Sequence, residues 1–182
     1  MFADLGVPII DTDIIAREVV AKDAPAVAEI RHAFGDDVFD EEGVLDRRKM
    51  RKIVFSDEGK RRALETILHP RIREATVARA EAVTSPYIVI VVPLLVGSPM
   101  KEFMDRVLVV DCSEDVQLGR LMARDGETDE QARRMIAVQA SRDDRLGIAD
   151  DVVLNDADPD QTRTRIEALH RSYLELSKGY RQ

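Results

Sequence analysis

The sequence holds a single cysteine, three histidines and no tryptophan. One thiol, Cys112, closes no internal disulfide and has no partner set for zinc, so disulfide scaffolds and zinc-ribbon chemistry are both excluded. Cys112 reads instead as a small buried residue beside a strand end. His32 and His170 fall in helical patterns and read as structural or exposed. No His or Cys spacing matches a metal site, so no metal ligands are assigned, and any metal is expected to arrive with a nucleotide. The longest apolar run, from Tyr87 to Val96, is broken by Pro93 and is about half of what a bilayer crossing requires. The amino end has neither a basic stretch nor an apolar signal region, which leaves cytoplasmic residence as the default and no membrane partner. Positive charge is also in deficit: 27 Lys and Arg against 35 Asp and Glu give a net charge of −8. That balance argues against broad nucleic-acid binding, which needs dense positive surface to displace counterions. It leaves room for a small polyanion held by local arginines, because one guanidinium fork engages two phosphate oxygens.

What is present is an α/β pattern. Three β-rich runs stand out, Tyr87 to Val92, Arg106 to Val110 and Val152 to Leu154, with Val7 to Ile10 as a weaker fourth. Their nearly continuous apolar character predicts strands of a parallel sheet covered on both faces. Pro8 cannot donate to a ladder and pushes the first run toward a sheet edge. Ser113 is placed to cap a helix whose first turn holds Glu114 and Asp115. Thr128 and Gln131 have capping-box spacing ahead of another helix, and Ile166, Leu169, Tyr173 and Leu176 form an apolar stripe on a third, predicted to pack on the sheet. Between Ile14 and Val83 the pattern is helical throughout, with turns at Gly35-Asp36-Asp37 and Glu41-Glu42-Gly43. A helical insertion of roughly 70 residues is too long for a simple crossover and reads as a lobe that closes over a substrate. The chain is long enough for one domain with a substantial core, and it carries no internal repeats.

In open α/β sheets, ligands collect at the carboxyl ends of strands. Asp11-Thr12-Asp13 follows directly on the first run, and Arg17 lies four residues beyond Asp13, on the same face of a helix starting there. A carboxylate in that position can accept a proton from a substrate hydroxyl; the simpler reading is that Asp11 or Thr12 caps the helix. Arg120 and Arg124 are also four apart, and Arg142 and Arg145 follow the next helix. These four could clamp phosphates, or form surface ion pairs with Asp125, Asp143 and Asp144. His69 precedes Pro70, and a residue before proline is biased away from helix, so a bend between two helices is expected there.

Taken together, Phe2-Ala3-Asp4-Leu5-Gly6, Ile10-Asp11-Thr12-Asp13-Ile14-Ile15-Ala16-Arg17, Leu68-His69-Pro70, Val92-Pro93-Leu94-Leu95, Gln139-Ala140-Ser141-Arg142 and Ala149-Asp150-Asp151-Val152 resemble the dephospho-CoA kinase family in order and spacing, over essentially the whole chain. The resemblance implies a kinase that uses ATP with Mg2+ to phosphorylate the ribose 3′-hydroxyl of dephospho-CoA. It implies a parallel P-loop kinase-like core (84–118 and 149–182), a helical CoA-binding lobe (14–83) and a small helical lid (119–148), in a monomer or homo-oligomer. Carried onto this chain, Asp13 becomes the general base, with Asp11 and Arg17 beside the substrate. His69 belongs to the lobe that receives the CoA portion. On the lid side Arg120 faces the transferring phosphates, Arg142 the nucleotide, and Arg124 is a further lid arginine; Asn155 lies near the adenine.

Two departures from the family pattern matter. The family carries a strand and a G-x-x-x-x-G-K-[ST] loop before the segment that begins here at Phe2, and that pattern occurs nowhere in the 182 residues. Its backbone N–H groups would cradle the phosphates, its Lys would neutralise them and its hydroxyl would hold magnesium. The strand is expected at the centre of the sheet, so its loss leaves two neighbouring strands with unpaired edges. The second departure is Gly97, where the family usually has Glu. Two other readings stay open: a different small-molecule P-loop kinase, and a non-catalytic fragment that binds a CoA-like ligand or a partner through its helical lobe. The expectation is that Met1 stands in place of an internal residue, and that the 182 residues alone are an inactive truncation of a product longer by roughly 20 residues. Intact-mass measurement of the native protein checks this: a mass above that of 182 residues is expected, and one equal to it in active cell fractions would overturn the reading.

Overall fold

The local signals that end helices and strands in this sequence are mostly side-chain caps, and the computed structural model shows them in use. It describes residues 1–156 and 158–179; the far end of the expected core segment, 180–182, and Ala157 lie outside the described residues. The element order is β1 (Ile9–Asp11), α1 (Thr12–Glu18), α2 (Pro25–Phe34), α3 (Arg47–Ser56), α4 (Glu58–Glu81), β2 (Val89–Val91), β3 (Leu108–Asp111), α5 (Glu114–Asp125), α6 (Asp129–Ala137), α7 (Arg142–Gly147), β4 (Asp151–Leu154) and α8 (Pro159–Gly179). The chain divides into two compact units, Val7–Pro93 and the combination of Met1–Gly6 with Leu94–Gln182.

In the first unit β1 and β2 pair in parallel, Ile9 opposite Val89 and Asp11 opposite Val91. Pro8 lies just ahead of the strand and contributes what it can, its carbonyl, which accepts from the Val89 N–H at 3.0 Å. Asp46 and Asp57 cap α3 and α4 through their carboxylates. The core gathers Val20, Ala26, Ile30, Val38, Phe39, Leu45 and Met50, with Leu64, Ile67 and Leu68 of α4 packed against it. Arg71 of α4 pairs with Glu29 of α2, and Arg79 of α4 with Glu18 of α1. Helix α4 runs through Pro70 as one element, so His69-Pro70 does not separate two helices as expected. Proline removes the N–H that would reach the Thr66 carbonyl, a local cost that favours a break. Packing of α4 against α1, α2 and α3 overrides it, and the Arg71 guanidinium adds a 2.5 Å hydrogen bond to the neighbouring Ile67 carbonyl.

In the second unit β3 and β4 pair in parallel, Leu108 opposite Asp151 and Asp111 opposite Leu154. Helix α8 packs on β4; of the stripe foreseen for it Ile166 is buried, while Leu176 is exposed. Tyr173 of that helix donates to the Asp151 carboxylate at 2.8 Å, which Arg106 also engages at 3.0 Å. The side chain of Ser113 caps α5, and Thr128 with Gln131 forms the capping box of α6. The parallel pairing matches the expectation, but the covering of both faces does not. Val153 is 1% exposed while Val152 is 46% and Val110 59% exposed. Each ladder has two strands among the described residues. Cys112, expected to be buried, is only half-buried because it follows the last residue of β3.

Ile30 has no exposed surface at the centre of the helical unit. Ile30→Ala is expected to destabilise the protein by about 2–5 kcal/mol, through lost burial and the cavity left behind. Chemical denaturation checks this, and a loss below about 1 kcal/mol would show that the site collapses around the smaller side chain.

Candidate active site

Two groups of polar side chains sit at carboxyl ends of strands, one in each unit. In the first, β1 passes directly into α1. Asp11, still extended, closes the strand and accepts the Asp13 N–H at 2.8 Å, so it is the cap. The next residue, Thr12, is buried and donates to the Val91 carbonyl at 2.9 Å, tying the start of α1 to the end of β2. These two bonds leave Asp13 in the first turn of α1 with its carboxylate exposed. Arg17 follows one turn later, also exposed. The competing readings for this segment are therefore divided between two carboxylates: Asp11 caps, and Asp13 is left available. His69 is exposed near the middle of α4, which packs against α1.

The second group lies where β3 and β4 end. Asp111 is the last residue of β3, its side chain only 1% exposed. Arg142 spans 31 residues of sequence to grip it: Nε donates to Oδ1 at 3.0 Å and to Oδ2 at 3.1 Å, and Nη2 donates to Oδ2 at 2.5 Å. Arg142 is the first residue of α7, whose start is fixed by a capping box between Ser141 and Asp144. Asn155 directly follows β4, and its N–H donates to the Asp111 carbonyl at 2.7 Å. Arg120, on α5, donates through Nη1 to the Asn155 carbonyl at 2.6 Å. Arg120, Arg142, Asp111 and Asn155 thus form one connected group.

The remaining arginines sort differently. Arg124 is 73% exposed and pairs with the adjacent Asp125, so the surface-pair reading describes it. Arg145 donates to the Ala140 carbonyl at 2.6 Å. Among the described residues no group of three or more His, Cys, Asp or Glu could hold a metal ion. Gly97 sits at φ +74°, a conformation that side-chain-bearing residues rarely adopt, which suits glycine where the family usually has Glu. Sequence reasoning missed Asp111. The signal was an acid closing the apolar run Val107-Leu108-Val109-Val110, but nothing local names its partner.

The order of parallel strands and helices matches solved structures at the level of fold. The chain resembles the crystal structure of TT1252 from Thermus thermophilus with a TM-score of 0.81 and 23% identity, covering 94% of this chain and 87% of that one. It resembles a dephospho-CoA kinase from Campylobacter jejuni with a TM-score of 0.70 and 23% identity, covering 98% and 89%. The fold is that of an α/β protein of the P-loop kinase class. The family model for dephospho-CoA kinase matches residues 1–161, and a dephospho-CoA kinase of Nitrosospira multiformis is 43% identical over 180 residues, 98% of this chain and 90% of that protein. This chain belongs to the dephospho-CoA kinase family.

The Arg142 guanidinium holds the Asp111 carboxyl below the usual carboxylate range, against burial, which pushes it up. A depressed folded value adds stability that is present above the unfolded value and lost as pH falls through the folded one. The melting temperature of the native protein is therefore expected to exceed that of Asp111→Asn from neutral pH down to about 4, with the gap closing below that. A gap independent of pH would show that the carboxylate charge contributes nothing.

Proposed function

We propose that this chain carries the acceptor-side and lid chemistry of a dephospho-CoA kinase, transferring the terminal phosphoryl group of ATP to the ribose 3′-hydroxyl of dephospho-CoA. The family match over residues 1–161 carries this reading, and the presentation of Asp13 beside a separate capping carboxylate supports its local chemistry. In the step proposed, the Asp13 carboxylate accepts the 3′-hydroxyl proton as that oxygen attacks the terminal phosphorus. The bond to the bridging oxygen breaks and ADP leaves. Arg17 binds the acceptor near this point, and Asp11 holds the turn that aims Asp13. The 14–83 lobe, including His69, receives the CoA portion, while 84–118 with 149–182 form the core and 119–148 the lid. Arg120 and Arg142 neutralise charge on the phosphates, where catalysis is mostly positioning and electrostatics, and Asn155 lies near the adenine. Arg124, committed to Asp125, is given an outer lid position.

Mg2+ would accompany ATP and would supply positive charge against the transferring phosphates. The described residues offer no acidic cluster for it, and the 182 residues contain no G-x-x-x-x-G-K-[ST] loop. No helix among the described residues is long and apolar enough to cross a membrane. We assign a cytoplasmic location, with ATP and dephospho-CoA as partners and neither nucleic acid nor membrane.

In the enzyme as the cell makes it, Asp13→Asn is expected to lower kcat by about 100-fold or more while the KM for dephospho-CoA changes little, since the variant keeps shape and loses the proton acceptor. Steady-state kinetics with dephospho-CoA varied at saturating ATP measures this. An unchanged kcat would remove Asp13 from the role of base.

A further inference from the structure

Arg142 could reach a phosphate from many rotamers, since an arginine side chain has much rotamer entropy to lose on being fixed. In this structure the conformation is already fixed. Two of its three guanidinium nitrogens, Nε and Nη2, are committed to a carboxylate that is almost fully buried, and the third, Nη1, makes no hydrogen bond to Asp111. The Arg142 side chain as a whole is 53% exposed, so the group is held from the inside and open on the outside. Arg120 has a complementary arrangement. Its Nη1 is used by the Asn155 carbonyl, which leaves its other nitrogens without a hydrogen bond to that anchor. The two anchors are joined by the Asn155 N–H to Asp111 carbonyl bond, 2.7 Å across the ends of neighbouring strands.

We infer that Asp111 is the positioning residue of this site: its buried carboxylate holds the Arg142 guanidinium with Nη1 outward, and its main chain carries the Asn155 turn that holds Arg120. Asp111 does not itself touch the phosphates. Its negative charge is cancelled by Arg142 in the absence of nucleotide, so the pair is preorganised and little ordering remains when the polyanion arrives. A guanidinium can donate to two carboxylate oxygens and still offer N–H groups to a third acceptor, because its five N–H donors lie in one plane at fixed angles. A lysine at 142 has three donors on one rotatable ammonium and cannot hold two carboxylate oxygens in that fixed planar geometry while aiming a further N–H outward. This inference rests on the nucleotide role proposed above for Arg142.

The test is steady-state kinetics of the native enzyme with ATP and dephospho-CoA varied separately, for Asp111→Asn, Arg142→Ala and the double variant. Asp111→Asn keeps the size and one acceptor oxygen but loses the charge. It is expected to raise the KM for ATP about tenfold, in keeping with loss of a charge-assisted, bidentate contact, and to leave the KM for dephospho-CoA within about twofold. In the Arg142→Ala background the same change is expected to add less than about twofold, because a residue that acts only through another has nothing left to act on. A raised KM for ATP in Arg142→Ala with an unchanged one in Asp111→Asn would overturn the positioning role alone. A normal KM for ATP in Arg142→Ala would overturn the nucleotide role of Arg142, and the positioning role with it. If Asp111→Asn impairs both substrates equally, and does so as strongly in the Arg142→Ala background, the residue is structural and the inference fails. Should Asp111→Asn fold poorly, Arg142→Lys reads the same contact from the other side: a rise in the KM for ATP close to that of Arg142→Ala is expected, and full retention of wild-type kinetics would overturn the inference.

Discussion

The constraint on which the site depends is the way very short parallel strands must end. A strand of three or four residues has few ladder hydrogen bonds, and at its carboxyl end the chain must satisfy its polar groups while turning into a helix. In one unit the end of β1 is closed by Asp11 as a cap and by the Thr12 bond to Val91. In the other the end of β3 is closed by the Asp111 contact with Arg142, and the end of β4 by the bond from the Asn155 N–H to the Asp111 carbonyl. The same groups that make these ends stable also fix where Asp13, Arg120 and Arg142 are presented. Stability of the strand ends and geometry of the candidate site are one problem solved by one set of side chains.

How far this was legible in the sequence depends on the range of the interaction. Caps act over two or three residues, and those at Ser113 and at Thr128 with Gln131 appear where local spacing put them. The parallel strands were legible from their apolar runs, although β1, β2 and β3 are shorter than theirs and β4 begins one residue earlier, at Asp151, where the ladder with Leu108 starts. At His69-Pro70 the local rule predicted a bend between two helices and tertiary packing kept them one element, since α4 is held by three other helices along its length. Asp111 was not legible at all. Its partner lies 31 residues away, and no periodicity links the last residue of a strand to the first residue of a helix beyond the next one.

Spacing also could not tell the arginines apart. Arg120 and Arg124 are equivalent by the helical repeat, yet one is tied to the carbonyl of Asn155 and the other to its own neighbour Asp125. The difference is what each anchor leaves over. Arg124 spends both Nε and Nη2 on its own neighbour in sequence, a surface ion pair of the kind that fixes little. Arg120 is held by a backbone carbonyl, and Arg142 by a buried carboxylate, both fixed by the sheet.

Net charge is a poor guide to phosphate chemistry for the same reason. The chain carries a formal −8, and many of its arginines, among them Arg31, Arg71, Arg79, Arg106, Arg133 and Arg134, are neutralised by carboxylates within 4 Å. Such pairs compete with a phosphate for the same N–H donors. An arginine bound to a buried acid competes less, because the acid takes a defined pair of donors and leaves the rest directed outward. An acidic protein can therefore present a phosphate-binding edge without a basic surface, provided that the acids nearest its arginines are buried and serve as anchors. Asp111 meets that condition, and the exposed Asp125 beside Arg124 does not.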